Sequence, residues 1–125
     1  MLVLAEFLLS ACAGNMAPVM NIESSGLNLP SNARVTMQQV EKAIYKGAGR
    51  HNWVVRSLEP GRLEAKIYVR SHTAVVLITH DTKSFSITYK DSQNLRYDGT
   101  RIKHNYNRWV LHLRNDILRE TSKLK

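Results

Sequence analysis

Residues 62–70 alternate strictly between apolar and polar side chains, and this pattern constrains the fold more than any other in the chain. Its apolar positions are Leu63, Ala65, Ile67 and Val69. Successive side chains of a β-strand point to opposite faces, so period two with one charged face predicts a half-buried strand. Such a strand belongs to a sheet that covers a core on one face and meets water on the other.

Three neighbouring segments, residues 52–58, 74–80 and 85–89, also have the composition of strands. Pro60-Gly61 is a turn signal before the alternating strand, and residues 82–84 form a connection short enough for a hairpin. Short connections between consecutive strands imply an antiparallel meander of four strands.

Helical periodicity flanks these strands. Thr36 followed by Gln39 is a capping-box pattern, and Gly47 and Gly49 offer a stop for this first helix. A second helix is predicted from about Asn105, a good N-cap, to Thr121. The predicted core-facing residues are Met37, Val40, Ile44 and Ala48 in the first helix and Tyr106, Trp109, Val110, Leu113 and Ile117 in the second. The order αββββα predicts a two-layer α+β domain over residues 35–125, with a four-stranded antiparallel meander and both helices on one face.

The first twelve residues have the pattern of a lipoprotein export signal. An apolar run from Met1 to Leu9 is followed by two small residues and Cys12, as in a bacterial lipobox, where the signal peptide is cut and the cysteine is acylated. No basic residue precedes Cys12, and Glu6 interrupts the run; the alternative is an ordinary buried segment. We expect residues 1–12 to be the signal peptide with its lipidated cysteine, which also accounts for the single cysteine of the chain. Residues 13–34 lack apolar periodicity and are predicted to form a flexible linker.

The chain is basic, with 18 lysines and arginines against 10 acidic residues and a net charge of +8. Such a charge favours anionic partners, including lipid headgroups, phosphorylated glycolipids and acidic polymers, although it also keeps a domain soluble. If the chain is exported, nucleic acid is not expected among its partners.

One stretch resembles a known family. The residues are Ser84-Phe85-Ser86-Ile87-Thr88-Tyr89-Lys90, then Ser92, Asn94-Leu95, Tyr97-Asp98-Gly99, Ile102, Asn105-Tyr106-Asn107 and Trp109. They are similar to small uncharacterised proteobacterial lipoproteins that share S-[FY]-S-I-x-Y, N-L-x-Y-D-G and I-x-x-N-Y-N-x-W. The similarity extends from about Val35 to Ile117, and the missing basic n-region departs from the family. The resemblance implies an outer-membrane lipoprotein on the periplasmic face, as does Ala13 after Cys12, but it implies no activity and no catalytic residues.

Two candidate binding features remain. Arg108, His112, Asn115 and Arg119 recur along one predicted outward stripe of the last helix, which suggests an anionic contact surface or a merely solvated face. Asp116 lies at the spacing to pair with His112 and Arg119. In residues 94–100, Arg96 and Tyr97 suggest a binding loop, whereas the Asp98-Gly99 turn suggests that the loop places Tyr97 against the last helix.

Chemistry of other kinds has little support. The five histidines, His51, His72, His80, His104 and His112, form no close ligand pair, so we expect no metal and no cofactor. The residue types of a hydrolase are present as Ser84, Ser86, Ser92, His80 and Asp98, but without a nucleophile signature, so we expect no enzyme. The sequence predicts a lipid-anchored envelope protein that binds another envelope protein or an anionic envelope component. The alternatives are a small periplasmic enzyme and a basic nucleic-acid-binding domain.

Overall fold

The computed structural model describes residues 15–125, so the predicted signal peptide, Cys12 and the first two linker residues lie outside the described part. The strands are β1 Met16–Pro18, β2 Ile22–Gly26, β3 Val54–Glu59, β4 Arg62–Val69, β5 His72–His80, β6 Ser84–Gln93 and β7 Arg101–Lys103. The helices are α1 Met37–Gly49 and α2 His104–Thr121.

The main sheet has the strand order β2-β6-β5-β4-β3, and every neighbouring pair is antiparallel. The predicted meander is present as β3 to β6, and the α+β class is confirmed. In β4 the predicted alternation holds, because Leu63, Ala65 and Ile67 are buried while Tyr68 is exposed. Apolar residues of α1 and α2 join these side chains in one core, so both helices cover the same face of the sheet.

The sheet has five strands and not the predicted four, because part of the predicted linker is a strand. β2 pairs with β6, and the even shorter β1 pairs with β7 in a separate two-stranded ribbon. Ile22, Val19, Met20 and Leu27 pack against the core from this segment. A register shift between Ile22 and Ser25 breaks the period-two pattern, so the segment lacks the sequence signal of a strand.

The start of α1 is as predicted. The Thr36 hydroxyl accepts a hydrogen bond from the Gln39 N–H at 3.1 Å, and the Gln39 side chain accepts one from the Thr36 N–H at 2.9 Å. Val40, Ile44 and Ala48 are fully buried, whereas Met37 at the helix start is 36% exposed. The helix continues through Gly47, so that glycine is not its stop.

The start of α2 differs from the prediction. The helix begins at His104, directly after β7, and its N-cap residue is Lys103, which makes no side-chain capping bond. Asn105 therefore lies inside the first turn, because strand pairing fixes the chain up to Lys103. The apolar face of α2 is buried as expected from Tyr106 to Ile117, and it includes Val110 and Leu113. Trp109 was also predicted to face the core, but it is only half-buried beside it.

Candidate anion-binding surface

Three segments meet at one end of the main sheet. The turn after β4 brings Val69 opposite His72, and His72 Nδ1 lies 2.8 Å from the carbonyl oxygen of Asn94. The Asn94 side chain donates to the Ser71 carbonyl at 2.6 Å. The Lys103 N–H donates to the Leu95 carbonyl at 2.9 Å. We call this end the basal end; it consists of residues 70–71, the loop 94–100, β7 and the start of α2 as far as Arg108.

The basal end is strongly basic. Its basic side chains are Arg70, Arg96, Arg101, Lys103 and Arg108, and its only carboxylate is Asp98. Asp98 lies 3.5 Å from Arg101. None of the other four basic side chains has a carboxylate oxygen within 4.0 Å in the described part of the chain. Four of the eleven lysines and arginines without a carboxylate partner in the described chain therefore lie at this one end of the domain.

The loop 94–100 holds its shape through internal bonds. The Asp98 carboxylate accepts the N–H groups of Arg101 at 2.7 Å and Thr100 at 2.9 Å, and these bonds hold the pKa of Asp98 below its usual range. Gly99 follows with φ +97°, as the turn prediction requires. The turn therefore fixes the loop that carries exposed Arg96.

Tyr97 packs against Tyr89, and it is Tyr89 that contacts the last helix. The ring centroid of Tyr97 lies 4.1 Å from that of Tyr89, which in turn meets Tyr106 of α2 edge-on at 5.6 Å. Burial raises the pKa of Tyr89, whereas Tyr97 remains 38% exposed. Tyr97 thus contributes an aromatic surface beside Arg96 while its neighbour packs against the core.

A shallow groove of about 260 Å³ adjoins the basal end. Its lining residues are His51, Trp53, Ile67, Val69, Arg108, Trp109 and His112. Aliphatic and indole groups give it an apolar character, and Arg108 belongs both to the groove and to the basal end. The rings of His51 and His112 stack with centroids 5.2 Å apart. The groove thus combines apolar contact area with the guanidinium of Arg108 and two imidazole rings, a combination suited to amphipathic anions.

His51 is held by a buried carboxylate. Its Nδ1 lies 2.5 Å from Oδ2 of Asp116, which is only 3% exposed. Sequence spacing suggested His112 and Arg119 as partners of Asp116. The Arg119 pair is present at 3.9 Å, whereas His112 makes no such pair in the described part of the chain. The turn after α1 instead brings His51 to Asp116.

A carboxylate that orients an imidazole is also one half of a general-base arrangement. However, no serine, threonine or cysteine is among the described residues that line the groove. Three of the hydrolase candidates, His80, Ser84 and Ser86, line another surface pocket together with Asp81. There Ser86 accepts the Ser24 N–H and Asp81 accepts the Ser84 backbone N–H. The other two candidates lie elsewhere, since Ser92 bonds the Tyr89 hydroxyl and Asp98 holds its own turn. The ring nitrogens of buried His80 have no partner in the described part.

The structure brings four of the five predicted site residues near one another and leaves Arg119 apart. The basal end contains Arg108, Arg96 and Tyr97, and His112 lies one turn further along α2 at the groove. Arg119 is exposed as expected, but it is 11 residues beyond Arg108, roughly 16 Å along the helix axis. Sequence reasoning missed Arg70, Lys103 and the role of His51, because only the turns of the folded chain bring them to this end. Within residues 15–125, no group of three or more histidine, cysteine or acidic side chains could hold a metal ion.

In comparisons with known proteins, the chain matches no protein-family model, and no curated protein or solved structure is significantly similar to it. Neither helix of the described residues is sufficiently long and apolar to cross a bilayer.

Proposed function

We propose that this protein is a lipid-anchored envelope protein that acts by binding an anionic envelope component through the basal end and the adjoining groove. The lipobox pattern around Cys12 supports the anchor, and the resemblance to small lipoproteins supports a position on the periplasmic face of the outer membrane. The net charge of +8 supports an anionic partner.

One observation carries the proposal: Arg96 and Arg108, distant in sequence, share an end of the domain where no carboxylate neutralises them among the described residues. By contrast, on the outer sheet face Arg56 and Lys90 both pair with Glu64, at 3.0 and 2.6 Å. A merely solvated surface usually gains from such mixed signs. At the basal end, four of the five basic side chains lack such ion pairs in the described part of the chain, as we expect of a surface that binds an anionic partner.

The expected strength is modest and depends on salt. Contact with anionic headgroups contributes about 1 kcal/mol per basic residue near the surface and is screened within a Debye length of about 8–10 Å. The exposed ring of Tyr97 and the half-buried Trp109 add amphipathic groups of the kind enriched at membrane interfaces.

The test is co-sedimentation of a soluble chain lacking residues 1–12 with vesicles of anionic or zwitterionic lipid. We expect Arg96→Glu/Arg108→Glu to lower binding to anionic vesicles by about tenfold or more, because two favourable contacts become repulsive. The matched control is Lys42→Glu/Lys83→Glu, which makes the same change in net charge at exposed positions outside the basal end. Arg119→Glu should have the smaller effect of a distant charge. Equal binding by all these proteins would contradict the role of the basal end.

The anchor is tested separately by mass spectrometry of the protein from the native membrane fraction. We expect Cys12 to be the first residue of the mature protein and to carry several acyl chains. Several chains are expected because one chain alone holds a protein at a membrane only marginally. An unmodified Cys12 in the full-length native product would contradict the lipid anchor.

A further inference from the structure

The described chain starts at the basal end. The Asn15 carbonyl accepts the backbone N–H of His104 at 3.0 Å and lies 3.2 Å from His104 Nδ1. Immediately afterwards β1 pairs with β7, with Met16 opposite Lys103. Asn15 is therefore fixed beside the start of α2, one helical turn before Arg108.

Cys12 precedes Asn15 by only three residues. A polypeptide spans at most about 3.3–3.6 Å per residue, so whatever the conformation of these residues, Cys12 lies within roughly 11 Å of Asn15. The linker predicted over residues 13–34 would have separated anchor and domain by a long flexible tether. Instead, the pairing of β1 and β2 leaves almost no free length between the anchor position and the domain.

We propose that the domain lies directly on the membrane, with its basal end against the anionic headgroups of the leaflet that holds the acyl chains of Cys12. This inference rests on the lipid anchor of the proposed function, and it names the partner and the orientation. Two independent observations support it: the short distance from Cys12 to Asn15, and the five basic side chains, four of them unpaired, that accompany one carboxylate at the end where Asn15 lies.

The distances are consistent with an electrostatic contact. Because Asn15 lies within roughly 11 Å of the anchor, the basal end beside it can come within one Debye length, about 8 Å at physiological salt, of the headgroups. Because the anchor makes the contact intramolecular, even weak contacts of about 1 kcal/mol per residue suffice to orient the domain. The opposite end of the sheet is far away, because β5 runs nine residues from His72 to His80, or about 26 Å at the rise of a strand.

Because the two ends of β5 are this far apart, labels near each end can show which end of the domain faces the membrane. The full chain, acylated in a Gram-negative host and purified from its membranes, is reconstituted into phosphatidylcholine vesicles with or without phosphatidylglycerol. Acylation blocks the only native thiol, so a fluorophore can be attached to one added cysteine, at Thr100→Cys in the basal loop or at Lys83→Cys in the turn after β5. Nitroxide groups on the lipid headgroups then quench fluorophores that lie near the surface, and mass spectrometry of the same sample reports on Cys12.

We expect strong quenching from Thr100→Cys and little from Lys83→Cys in vesicles that contain phosphatidylglycerol. Adding Arg96→Glu/Arg108→Glu should abolish most of this difference, whereas Lys42→Glu alone should preserve it, and high salt should weaken it. A Gly/Ser insertion of about 20 residues between Ala13 and Gly14 should preserve the difference at low salt and lose it at high salt, since the longer tether lowers the effective concentration.

Each contrary result contradicts a different part of the two proposals. An unmodified Cys12 overturns the anchor of the proposed function and this inference with it. An acylated Cys12 with equal quenching at both labels overturns the orientation alone. Basal quenching that persists without phosphatidylglycerol, or after charge reversal, overturns anionic headgroups as the partner.

Discussion

Gly47 in α1 rests directly on the backbone of Asp116 in α2. A β-carbon at Gly47 would lie 2.9 Å from the carbonyl carbon and oxygen of Asp116, and equally close to Cα of Ile117. Real β-carbons do not approach backbone atoms so closely, so only glycine permits this helix crossing. The same crossing positions the buried Asp116 carboxylate that holds His51.

We therefore expect Gly47→Ala to destabilise the protein by roughly 1–3 kcal/mol, the usual cost of overpacking a contact that cannot relax. The matched control is Gly49→Ala two residues later, where an added β-carbon meets nothing within 4 Å. There alanine should be neutral or stabilising by up to about 1 kcal/mol, because glycine is the poorer helix former. Urea unfolding of both variants checks this, and equal stabilities would contradict the close approach.

Local signals in the sequence predicted local structure well. The capping box of Thr36 and Gln39 and the alternation of β4 each lie within a few residues, so the chain specifies them without tertiary context. β1 and β2 could not be predicted, because their few residues become strands only where β7 and β6 offer unpaired edges. The candidate site divides in the same way. The exposure of Arg108 and Arg119 follows from helical spacing, whereas the pairing of His51 with Asp116 joins residues 65 positions apart.

Tyr106 predicts a loss of stability in alkaline solution. Its side chain is fully buried and its hydroxyl has no partner in the described part of the chain. Burial raises the pKa of this phenol well above its usual range, and Tyr89 and Tyr97 add to the effect. An unfolded tyrosine loses its proton above about pH 10, where the folded one still holds it, so the free energy of unfolding falls as pH rises beyond that point.

Tyr106→Phe should reduce this alkaline loss and, by removing an unsatisfied hydroxyl, should leave stability at pH 7 unchanged or raise it by about 1 kcal/mol. Tyr68→Phe, at a position 64% exposed, controls for removal of a hydroxyl at the surface and should leave stability at pH 7 unchanged. Urea unfolding between pH 7 and about pH 11 measures both effects. A steeper alkaline loss in Tyr106→Phe than in the wild type would contradict the burial of a neutral phenol.

Glu64 predicts a loss of stability in acid. Hydrogen bonds from Arg56 and then Lys90 lower the pKa of Glu64 from 4.5 to about 2. The stabilisation is therefore complete above pH 4.5 and is lost as pH falls towards 2, because the unfolded carboxylate takes up its proton first. Arg56 is 69% exposed, so solvent screening limits the contribution to about 1 kcal/mol.

Glu64→Gln should remove this contribution at pH 7 and flatten the acid limb of the stability curve. Glu59→Gln is the control, since Glu59 is exposed and, among residues 15–125, pairs only with Arg62 at 3.4 Å, and its effect should stay within about 0.5 kcal/mol. Thermal unfolding followed across the acid range measures both proteins. Identical acid limbs for Glu64→Gln and the wild type would show that the ion pairs contribute nothing.

Asn107 joins α2 to the segment between β1 and β2. Its side-chain oxygen accepts the Met20 N–H at 2.9 Å, and its side-chain nitrogen donates to the Pro18 carbonyl at 2.9 Å. The amide thus satisfies one backbone donor and one acceptor where the two short strands leave the ladder. This contact also fixes the chain that leads back to Asn15 and the basal end.

We expect Asn107→Ala to cost roughly 1–3 kcal/mol, because both backbone groups lose their partner at a partly buried position. Asn105→Ala is the matched control, since its side chain makes no hydrogen bond in the described part and alanine favours the helix. Urea unfolding should therefore rank Asn107→Ala below Asn105→Ala, and amide exchange at Met20 should accelerate only in the former. If Asn105→Ala were the more damaging change, Asn105 would be the cap that helical spacing first indicated, and the attachment of β1 and β2 through Asn107 would be wrong.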